Sequence, residues 1–508
     1  MHYSWLLVVA LYTSGCSSAR ILVLQPMPAR GHLIVTEPLF EELAARGHQL
    51  TVVTSFPHKS PVPNLDEIDV SEETEASKWV GNIALEGIRQ NMPNQLHSPL
   101  YMAKNDYDMC KAVYSNNQVK MLLKSTKKFD MVITEVFTND CFAPFASKFG
   151  APLVSIVTSF PLPWLSDRVG LPDNPSYIPN YYLDVGSEMT FFERVYNTFF
   201  LIYTKLLYHL VFLPKVQNMV DEYFEGLPPI EEIVRNTSLI LMNSHLSLTY
   251  SRPCTHNVVE VGGIHIKNTS TKVPQDLLDI LDKSTSGVVV VSFGSMVRMA
   301  SLPDNLLKAF LASFAKIPQT VILKYEEELA DVPKNVVVRK WLPQREITEH
   351  KNVVALLIHG GLASITEAVY YGKPVIGVPI FSDQFLNIKT IVRHGAGVLL
   401  NIDDISEQTL DSALRSVLIN PEFTLKARQL SAKFRDRPRT ALQIAVYWVE
   451  YVLDHNGAPQ LRPSSVDLRL GQYLLLDIVA LVLITSIALV YCVSCILRYH
   501  GSSLLFCL

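Results

Sequence analysis

The sequence predicts an α/β protein with two doubly wound domains, each a parallel sheet between layers of helices. Three observations support this prediction. Buried-type strands alternate with helical segments twice along the 508 residues, a turn-rich stretch at 262–285 separates the two series, and a long uncharged apolar run lies at 478–497. The length itself suggests about two to three domains. The net charge of −4 is spread without long runs of one sign, so nothing indicates a nucleic-acid partner.

Both ends of the chain carry segments typical of a membrane-anchored protein. A short apolar core followed by Ser17-Ser18-Ala19 predicts a signal peptide at 1–19. The uncharged run near the carboxyl end is long enough to cross a bilayer, which predicts a span at 474–497 and a cytosolic tail at 498–508. A buried core helix is the less favoured alternative, because this run lies at the chain end and is not amphipathic. The body is therefore expected in a lumenal compartment.

The expected body holds three of the seven cysteines, Cys110, Cys141 and Cys254. Three cysteines allow at most one disulfide, so the fold must depend on packed cores. No cysteine spacing typical of a zinc site is present. Two sequons, at 236–238 and 268–270, fit a lumenal body.

The amino-terminal domain is predicted at 20–261. Residues 21–54 form one predicted β-α-β unit, and His32 lies in the loop after its first strand. In open α/β sheets the loops at the carboxyl ends of strands line the ligand crevice, so His32 is expected to face a ligand. A later strand at 130–134 runs into Glu135, and Asp140 follows.

A largely apolar stretch at 195–213 is a second candidate for contact with a membrane. Its only formal charge is Lys205. A lysine in the middle of a bilayer is costly, so we favour a long helix or a pair of helices that packs on the body over a second span.

The carboxyl-terminal domain is predicted at 286–439, a linker at 262–285 precedes it, and a helical segment at 440–473 leads to the span. Its central stretch has the pattern strand, Gly360-Gly361 turn, helix, strand, Asp383-Gln384. A glycine turn before a helix gathers free backbone N–H groups and the positive end of the helix dipole, which together suit phosphate. Glu367, in that helix, suits paired hydroxyls such as those of ribose. This stretch therefore predicts a nucleotide site.

An ordered set of motifs resembles the donor-binding signature of the UDP-glycosyltransferases. The motifs are Trp341-Leu342-Pro343-Gln344, His359-Gly360-Gly361, Glu367 and Asp383-Gln384. Phe293-Gly294-Ser295, the signal peptide and the carboxyl-terminal span are similar to the membrane-anchored animal branch, especially its insect members. The resemblance covers essentially the whole chain. It implies a GT-B fold, in which two Rossmann-like domains face a cleft.

The resemblance implies inverting, metal-independent transfer of a hexose, most often glucose, from a UDP-sugar to a hydroxyl of a small lipophilic acceptor. No cofactor beyond the UDP-sugar is implied. The implied donor contacts follow the UDP-sugar from end to end: Trp341 and Gln344 on uracil, Glu367 on ribose, Ser295, His359, Gly360 and Gly361 on the diphosphate, and Asp383 and Gln384 on the sugar.

His32 is the general base that the resemblance implies, taking the proton of the acceptor hydroxyl. Such a histidine needs a carboxylate to orient it and to stabilise its charged form. Glu135 and Asp140 are both candidates for this carboxylate. We favour Asp140, because its shorter side chain fits beside the cleft loop without crowding the acceptor.

Several alternatives remain open at this point. No residue excludes a glucuronosyl donor, and a lumenal protein that binds lipophilic ligands without turnover is a rival of a different class. Homo-oligomerisation is also open. The resemblance implies a single-pass type I protein of the endoplasmic reticulum membrane, although the tail lacks the dilysine signal typical of members retained there.

Overall fold

The computed structural model describes residues 18–76, 84–92, 95–137, 140–266 and 273–505. The sequon at 268–270 and all but the last two residues of the predicted signal peptide lie outside these ranges. The described residues form two parallel sheets in two Rossmann-like domains, as the sequence predicts.

The amino-terminal sheet has seven strands in the order β3-β2-β1-β4-β5-β6-β7, and the carboxyl-terminal sheet has six in the order β10-β9-β8-β11-β12-β13. The strands are β1 (Arg20–Gln25), β2 (Gln49–Thr54), β3 (Leu65–Asp69), β4 (Met131–Glu135), β5 (Leu153–Val157), β6 (Thr237–Met242), β7 (Val258–Glu260), β8 (Val288–Ser292), β9 (Thr320–Lys324), β10 (Val336–Arg339), β11 (Val353–Ile358), β12 (Val375–Gly377) and β13 (Gly397–Leu399). Central strands such as β8, VVVVS, are buried along their whole length because helices cover both faces of a parallel sheet.

Helices cover both faces of each sheet. In the amino-terminal domain they are Arg30–Ala45, Leu85–Asn91, His97–Ser115, Asn117–Lys124, Pro144–Phe149, Leu165–Val169, Phe191–Leu207, Leu213–Tyr223 and Ile230–Arg235. In the carboxyl-terminal domain they are Gln275–Lys283, Asp304–Phe314, Gln344–Glu349, Leu362–Tyr370, Gln384–Arg393, Glu407–Ile419 and Pro421–Arg435. The chain continues through Ala441–Asp454, Leu470–Tyr473 and Leu476–Leu505. The first of the carboxyl-terminal helices lies inside the predicted linker, and its Leu277 and Leu281 are buried in the core of that domain.

The helix Ala441–Asp454 returns from the second domain to pack on the first. Its Ala445 and Val449 are fully buried in the same core as the β1 residues. Arg46, at the end of the first helix, donates two hydrogen bonds to the Glu450 carboxylate, of 2.6 and 2.9 Å. This crossing fixes the two domains on either side of one cleft and brings the chain back to the amino-terminal domain before its last helix.

Two described helical segments are long and apolar enough to cross a membrane, Phe191–Tyr223 and Leu476–Arg498. Within an apolar 18-residue window of each segment, the body buries a third of the residues in the first and none in the second. Lys205 of the first segment forms ion pairs with Asp167 and Asp173. The predicted packing of 195–213 on the body is therefore confirmed, and the carboxyl-terminal apolar helix is present as predicted.

Candidate active site

The site lies where the strand order of each sheet reverses direction. In the first sheet this point falls between β1 and β4, and Glu135 ends β4. The prediction that His32 lies in the loop after β1 is wrong: that loop is short, and His32 is the third residue of the helix Arg30–Ala45 that follows it. In the second it falls between β8 and β11, which precede Ser295 and His359. Ligands of open α/β sheets bind outside the carboxyl ends of the strands at this reversal. The topology therefore brings the predicted residues of both domains to one cleft.

One cavity of about 630 Å³ fills this cleft and takes its walls from both domains. The predicted site residues that line it are His32, Ser295, Trp341, Gln344, His359, Gly361, Glu367, Asp383 and Gln384. Gly360 lies in the turn behind His359, and Glu135 lies behind His32. The structure thus brings together all but one of the predicted residues, and their roles stay predictions.

His32, Glu135 and Thr158 form a compact hydrogen-bonded group, which we call the base site. His32 Nδ1 lies 2.5 Å from Glu135 Oε1, and since a carboxylate only accepts, Nδ1 is the donor. Thr158 Oγ1 donates to the same oxygen at 2.5 Å and lies 3.0 Å from His32 Nδ1. Gln25 Nε2 approaches the other oxygen, Oε2, at 3.5 Å, and Thr36 holds Gln25 through a 2.6 Å hydrogen bond. The imidazole is oriented before any ligand binds.

The charge around His32 favours its protonated form. Burial alone would lower its pKa, but the surrounding carboxylates, Glu135 foremost, together outweigh burial and raise the pKa above its ordinary value of 6.5. The more distant carboxylates of Asp106 and Asp383 act in the same direction. Because Asp383 belongs to the other domain, the carboxyl-terminal side of the cleft also contributes to raising the pKa of His32.

The preference for Asp140 as the partner of His32 is wrong. Asp140 is buried and forms an ion pair with Arg168, and it accepts a 2.5 Å hydrogen bond from the Tyr208 hydroxyl. This carboxylate therefore joins the loop after β4 to neighbouring helices. Glu135 is the partner because it is the last residue of β4, beside the end of β1, and its longer side chain reaches His32.

Glycine at three positions makes room for the His359 side chain and its turn. A Cβ at Gly294 would lie 2.5 Å from His359 Cε1, and a Cβ at Gly361 would lie 2.8 Å from His359 Nε2. Gly360 has a φ of +93°, and a Cβ there would lie 2.7 Å from Ile388. At Gly360 only glycine meets both the steric and the conformational demands of this turn. The ring is therefore held between two glycines at the start of the helix Leu362–Tyr370.

His359 is neutral at physiological pH. Burial, with the nearby Lys324 ammonium, lowers its pKa to about 4. Its Nδ1 is buried and makes no hydrogen bond within the part of the chain that the structure describes. Beside it, the helix that begins after Gly361 directs its first free N–H groups toward the cavity end of the turn. A neutral donor and a helix amino terminus together suit a phosphate.

Glu367, deeper in the same helix, is a buried carboxylate in a poorly solvated position. Burial raises its pKa to about 7, against the opposing effect of a 2.8 Å hydrogen bond from Gln344 Nε2. The same amide lies 2.8 Å from Ser364 Oγ. His265 Nε2 lies 3.7 Å from Glu367 Oε1, and burial lowers the pKa of His265 to about 4. This carboxylate can still accept hydroxyl donors from a ligand in the cavity.

Trp341, Asp383 and Gln384 also line the cavity from the carboxyl-terminal domain. Trp341 is 50% exposed, so its ring is accessible to a stacking partner. Asp383 Oδ2 accepts two hydrogen bonds, one of 3.1 Å from Asn387 Nδ2 and one of 3.4 Å from the Phe160 backbone amide of the other domain. Gln384 Oε1 accepts from the backbone amides of Ile380 and Phe381, which leaves its NH₂ group for other partners. We call the cavity residues of the carboxyl-terminal domain the donor site.

Sequence reasoning missed several cavity residues. Thr158 follows β5 directly, so the strand-end rule that selected His32 would also have selected it. His265 and Asp106 belong to no recognisable spacing, and only the fold brings them to the cleft. Among the described residues no group of histidine, cysteine, aspartate and glutamate side chains is arranged to hold a metal ion.

Two parallel-sheet, Rossmann-like domains that face one cleft define the class of GT-B folds. Solved structures of this kind are similar in fold. The glycotransferase of kitacinnamycin aligns with a TM-score of 0.57 at 16% identity, covering 86% of this chain and 99% of that one. CalG4, the calicheamicin glycosyltransferase, gives 0.53 at 16% identity with the same coverage.

Sequence comparison identifies the family. The family model described as "UDP-glucoronosyl and UDP-glucosyl transferase" matches residues 19–505. UDP-glucosyltransferase 2 of Dactylopius coccus is 38% identical over 98% of both chains, and UDP-glucuronosyltransferase 1A7 of Mus musculus is 29% identical over 96% of this chain and 93% of that one. The chain belongs to the UDP-glycosyltransferase family and is a UDP-glycosyltransferase.

Proposed function

We propose that the protein transfers glucose from UDP-glucose, with inversion and without a metal ion, to a hydroxyl of a small lipophilic acceptor. One observation carries this proposal. His32, which is hydrogen-bonded to Glu135 of the same domain, and the His359 and Gly361 turn of the other domain line a single cavity of about 630 Å³. A cavity of this size fits a nucleotide sugar and a small acceptor together.

The proposed base is His32. Because Glu135 holds Nδ1–H, the unprotonated Nε2 is left for the acceptor hydroxyl. The acceptor oxygen forms a bond to the anomeric carbon as the bond from that carbon to the UDP oxygen breaks, and the hydroxyl proton passes to Nε2. Glu135 stabilises the imidazolium that results. A single displacement of this kind inverts the anomeric centre.

The leaving UDP acquires negative charge that needs donors in place before the reaction. The first free amides of the helix Leu362–Tyr370, the neutral His359 ring and the Ser295 hydroxyl line the cavity where the diphosphate would lie. Together they can supply the stabilisation that a metal ion provides in other transferases.

The preference for glucose rests on two supports. The relatives most similar to this chain include UDP-glucosyltransferase 2 of Dactylopius coccus. Asp383 and the free NH₂ group of Gln384 offer an acceptor and a donor to neighbouring sugar hydroxyls, which suits a neutral hexose.

The lipophilic acceptor follows from the amino-terminal wall of the cavity. Apolar side chains from several elements line it: Met27, Ile34, Val35, Ile88, Met92, Met102, Met109 and Phe137. Methionine side chains are flexible and polarisable, so a wall rich in them can adapt to acceptors of different shape.

We also propose that the protein is anchored in the endoplasmic reticulum membrane with its body in the lumen. The exposed apolar helix Leu476–Arg498 supports the anchor. A disulfide joins Cys110 to Cys141, and disulfides persist in oxidising compartments such as the lumen.

A competition assay tests the donor and the chemistry together. The purified full-length chain receives UDP-glucose, UDP-glucuronate and UDP-galactose at equal concentrations with one phenol acceptor, and the conjugates are quantified and their anomeric configuration assigned. The proposal expects the β-glucoside to dominate and His32→Ala to abolish it. A dominant glucuronide, or retention of the donor's configuration, would contradict it.

A further inference from the structure

The helical rod Phe191–Tyr223 has two chemically different sides. Its inward side is buried against the body through Asn197, Phe200, Thr204, Tyr208 and Phe212. Its outward side carries seven large apolar side chains, each 52 to 80% exposed, which we call the outer stripe: Phe191, Phe192, Val195, Phe199, Ile202, Leu206 and Leu210. At roughly 100° per residue these seven fall within an arc of about 100°.

The outer stripe extends onto a neighbouring helix. Tyr203 donates a 2.8 Å hydrogen bond to the Leu96 carbonyl, and Tyr196 donates one of 2.9 Å to Gln95. Leu96 and Leu100, which are themselves exposed, therefore adjoin the stripe. Soluble proteins seldom expose contiguous apolar surface beyond a few hundred Å², and surfaces of this kind mark contact with a partner or a membrane.

A series of contacts connects the helical rod to the segment that precedes the carboxyl-terminal apolar helix. Asp167 binds Lys205 at 2.6 Å and His209 at 3.3 Å. Asp167 lies in the five-residue helix Leu165–Val169, and the Gly170 carbonyl that follows accepts a hydrogen bond from Ser465. From Ser465 the chain reaches Leu476, the first residue of the apolar helix, within at most about 36 Å. A bilayer that holds this helix therefore lies within reach of the stripe.

The rod itself is not placed to cross that bilayer. The body covers its inward side, and Lys205 is fixed in ion pairs with Asp167 and Asp173. A helix with one protein-packed side and one apolar side enters the membrane sideways, with its axis in the interfacial plane.

We propose that the outer stripe is a second membrane contact, which inserts into the same leaflet surface from which the Leu476–Arg498 helix enters the bilayer. The inference rests on the anchor proposed above. It also places one wall of the acceptor cavity next to lipid, because Tyr101 and Met102 of that wall follow Leu100 directly on the helix His97–Ser115. Lipophilic acceptors dissolved in the bilayer then meet the enzyme at its membrane face.

Photolabelling of the unaltered full-length chain tests this contact. The protein is reconstituted into phosphatidylcholine vesicles that contain a diazirine-bearing phosphatidylcholine, irradiated and digested, and the labelled peptides are identified by mass spectrometry. We expect label in the peptides that cover 191–210 and in those that cover 476–498. The peptide with Ile419, which is 75% exposed on the other domain, is the internal control and stays unlabelled.

A matched pair of variants sharpens the result. Phe199→Ser with Leu206→Ser should reduce label at the stripe at least threefold, with label at 476–498 and turnover of a water-soluble phenol unchanged, while Ile419→Ser should change none of these. Label at 476–498 without label at 191–210 overturns the inference and leaves the anchor intact. Reciprocal cross-links between two stripes would assign the surface to a second copy and overturn it as well. If neither segment is labelled, both the anchor and the inference are contradicted. Transferase activity is measured in a separate assay, so this outcome leaves the proposed reaction untouched.

Discussion

His32 Nδ1, in the base site, shares a hydrogen-bonded group with Glu135 and Thr158, whereas His359 Nδ1, in the donor site, is buried without a partner in the described part of the chain. The pKa values differ in the same way, since a carboxylate raises that of His32 and burial lowers that of His359 to about 4. The surroundings of His32 favour its protonated form, whereas those of His359 keep it neutral. Under the proposed function the two domains divide the reaction: the first activates the acceptor, and the second binds and discharges the donor.

Loss of the base should produce the largest effect and should leave donor binding intact. General bases contribute about 10²- to 10⁴-fold to rate, so His32→Ala should lower kcat by that range. The Kd for UDP-glucose, measured by calorimetry, should change less than about twofold, because no donor-site residue moves. A large loss of UDP-glucose affinity in this variant would break the proposed division between the domains.

Glu367→Gln should have the opposite effect to His32→Ala, because it should weaken the binding of UDP-glucose. Hydrogen bonds to a charged group contribute about 1.5–3 kcal/mol, so UDP-glucose affinity should fall roughly 10- to 100-fold. In the unaltered protein the Glu367 pKa of about 7 means that the carboxylate ionises as pH rises from 6 to 8, and the ionised form accepts ribose hydroxyls. Affinity should therefore increase over that interval.

The control for this experiment is the variant itself, whose amide does not titrate. Calorimetry with UDP-glucose should show a flat pH dependence for Glu367→Gln, since the diphosphate diester of the ligand has no titration in that interval. An unchanged pH dependence in the variant would show that another group is responsible.

Gly361→Ala should have a smaller effect, restricted to the binding of UDP-glucose at the donor site. The new Cβ would lie 2.8 Å from His359 Nε2, and the backbone there is not left-handed, so only the histidine must shift. We expect UDP-glucose affinity to weaken by roughly 3- to 10-fold, or about 1 kcal/mol for one displaced hydrogen bond. Gly471→Ala, at a position with no atom within 4 Å of the added methyl group, should change nothing.

The sequence predicted the sheets and the turns better than the partners of individual side chains. Strand β8 and the Gly360-Gly361 turn were predictable because burial on both faces and backbone demands leave local patterns. Strand β3 was missed, since its sequence LDEID lies at a sheet edge and is only partly buried. The return of Ala441–Asp454 to the first domain leaves no local pattern either.

The partner of His32 illustrates the limit of sequence reasoning most clearly. Glu135 and Asp140 lie five residues apart, and side-chain length alone favoured the wrong one. The choice depends on Arg168 and Tyr208, distant in sequence, which take Asp140 into a buried ion pair. His265 was missed for the same reason, because only the fold brings it to the cleft.

The pH dependence of kcat/KM for transfer tests the account most directly, in the unaltered protein and in Glu135→Gln. Because Glu135 raises the pKa of His32, the unaltered protein should lose activity on acidification with a midpoint above 6.5. Without that carboxylate burial dominates, and the midpoint should move below 6.5 while the maximal rate falls. Asp140→Asn, which removes the other carboxylate, should keep the original midpoint. An acid midpoint that stays in place in Glu135→Gln, or moves in Asp140→Asn, would contradict the account.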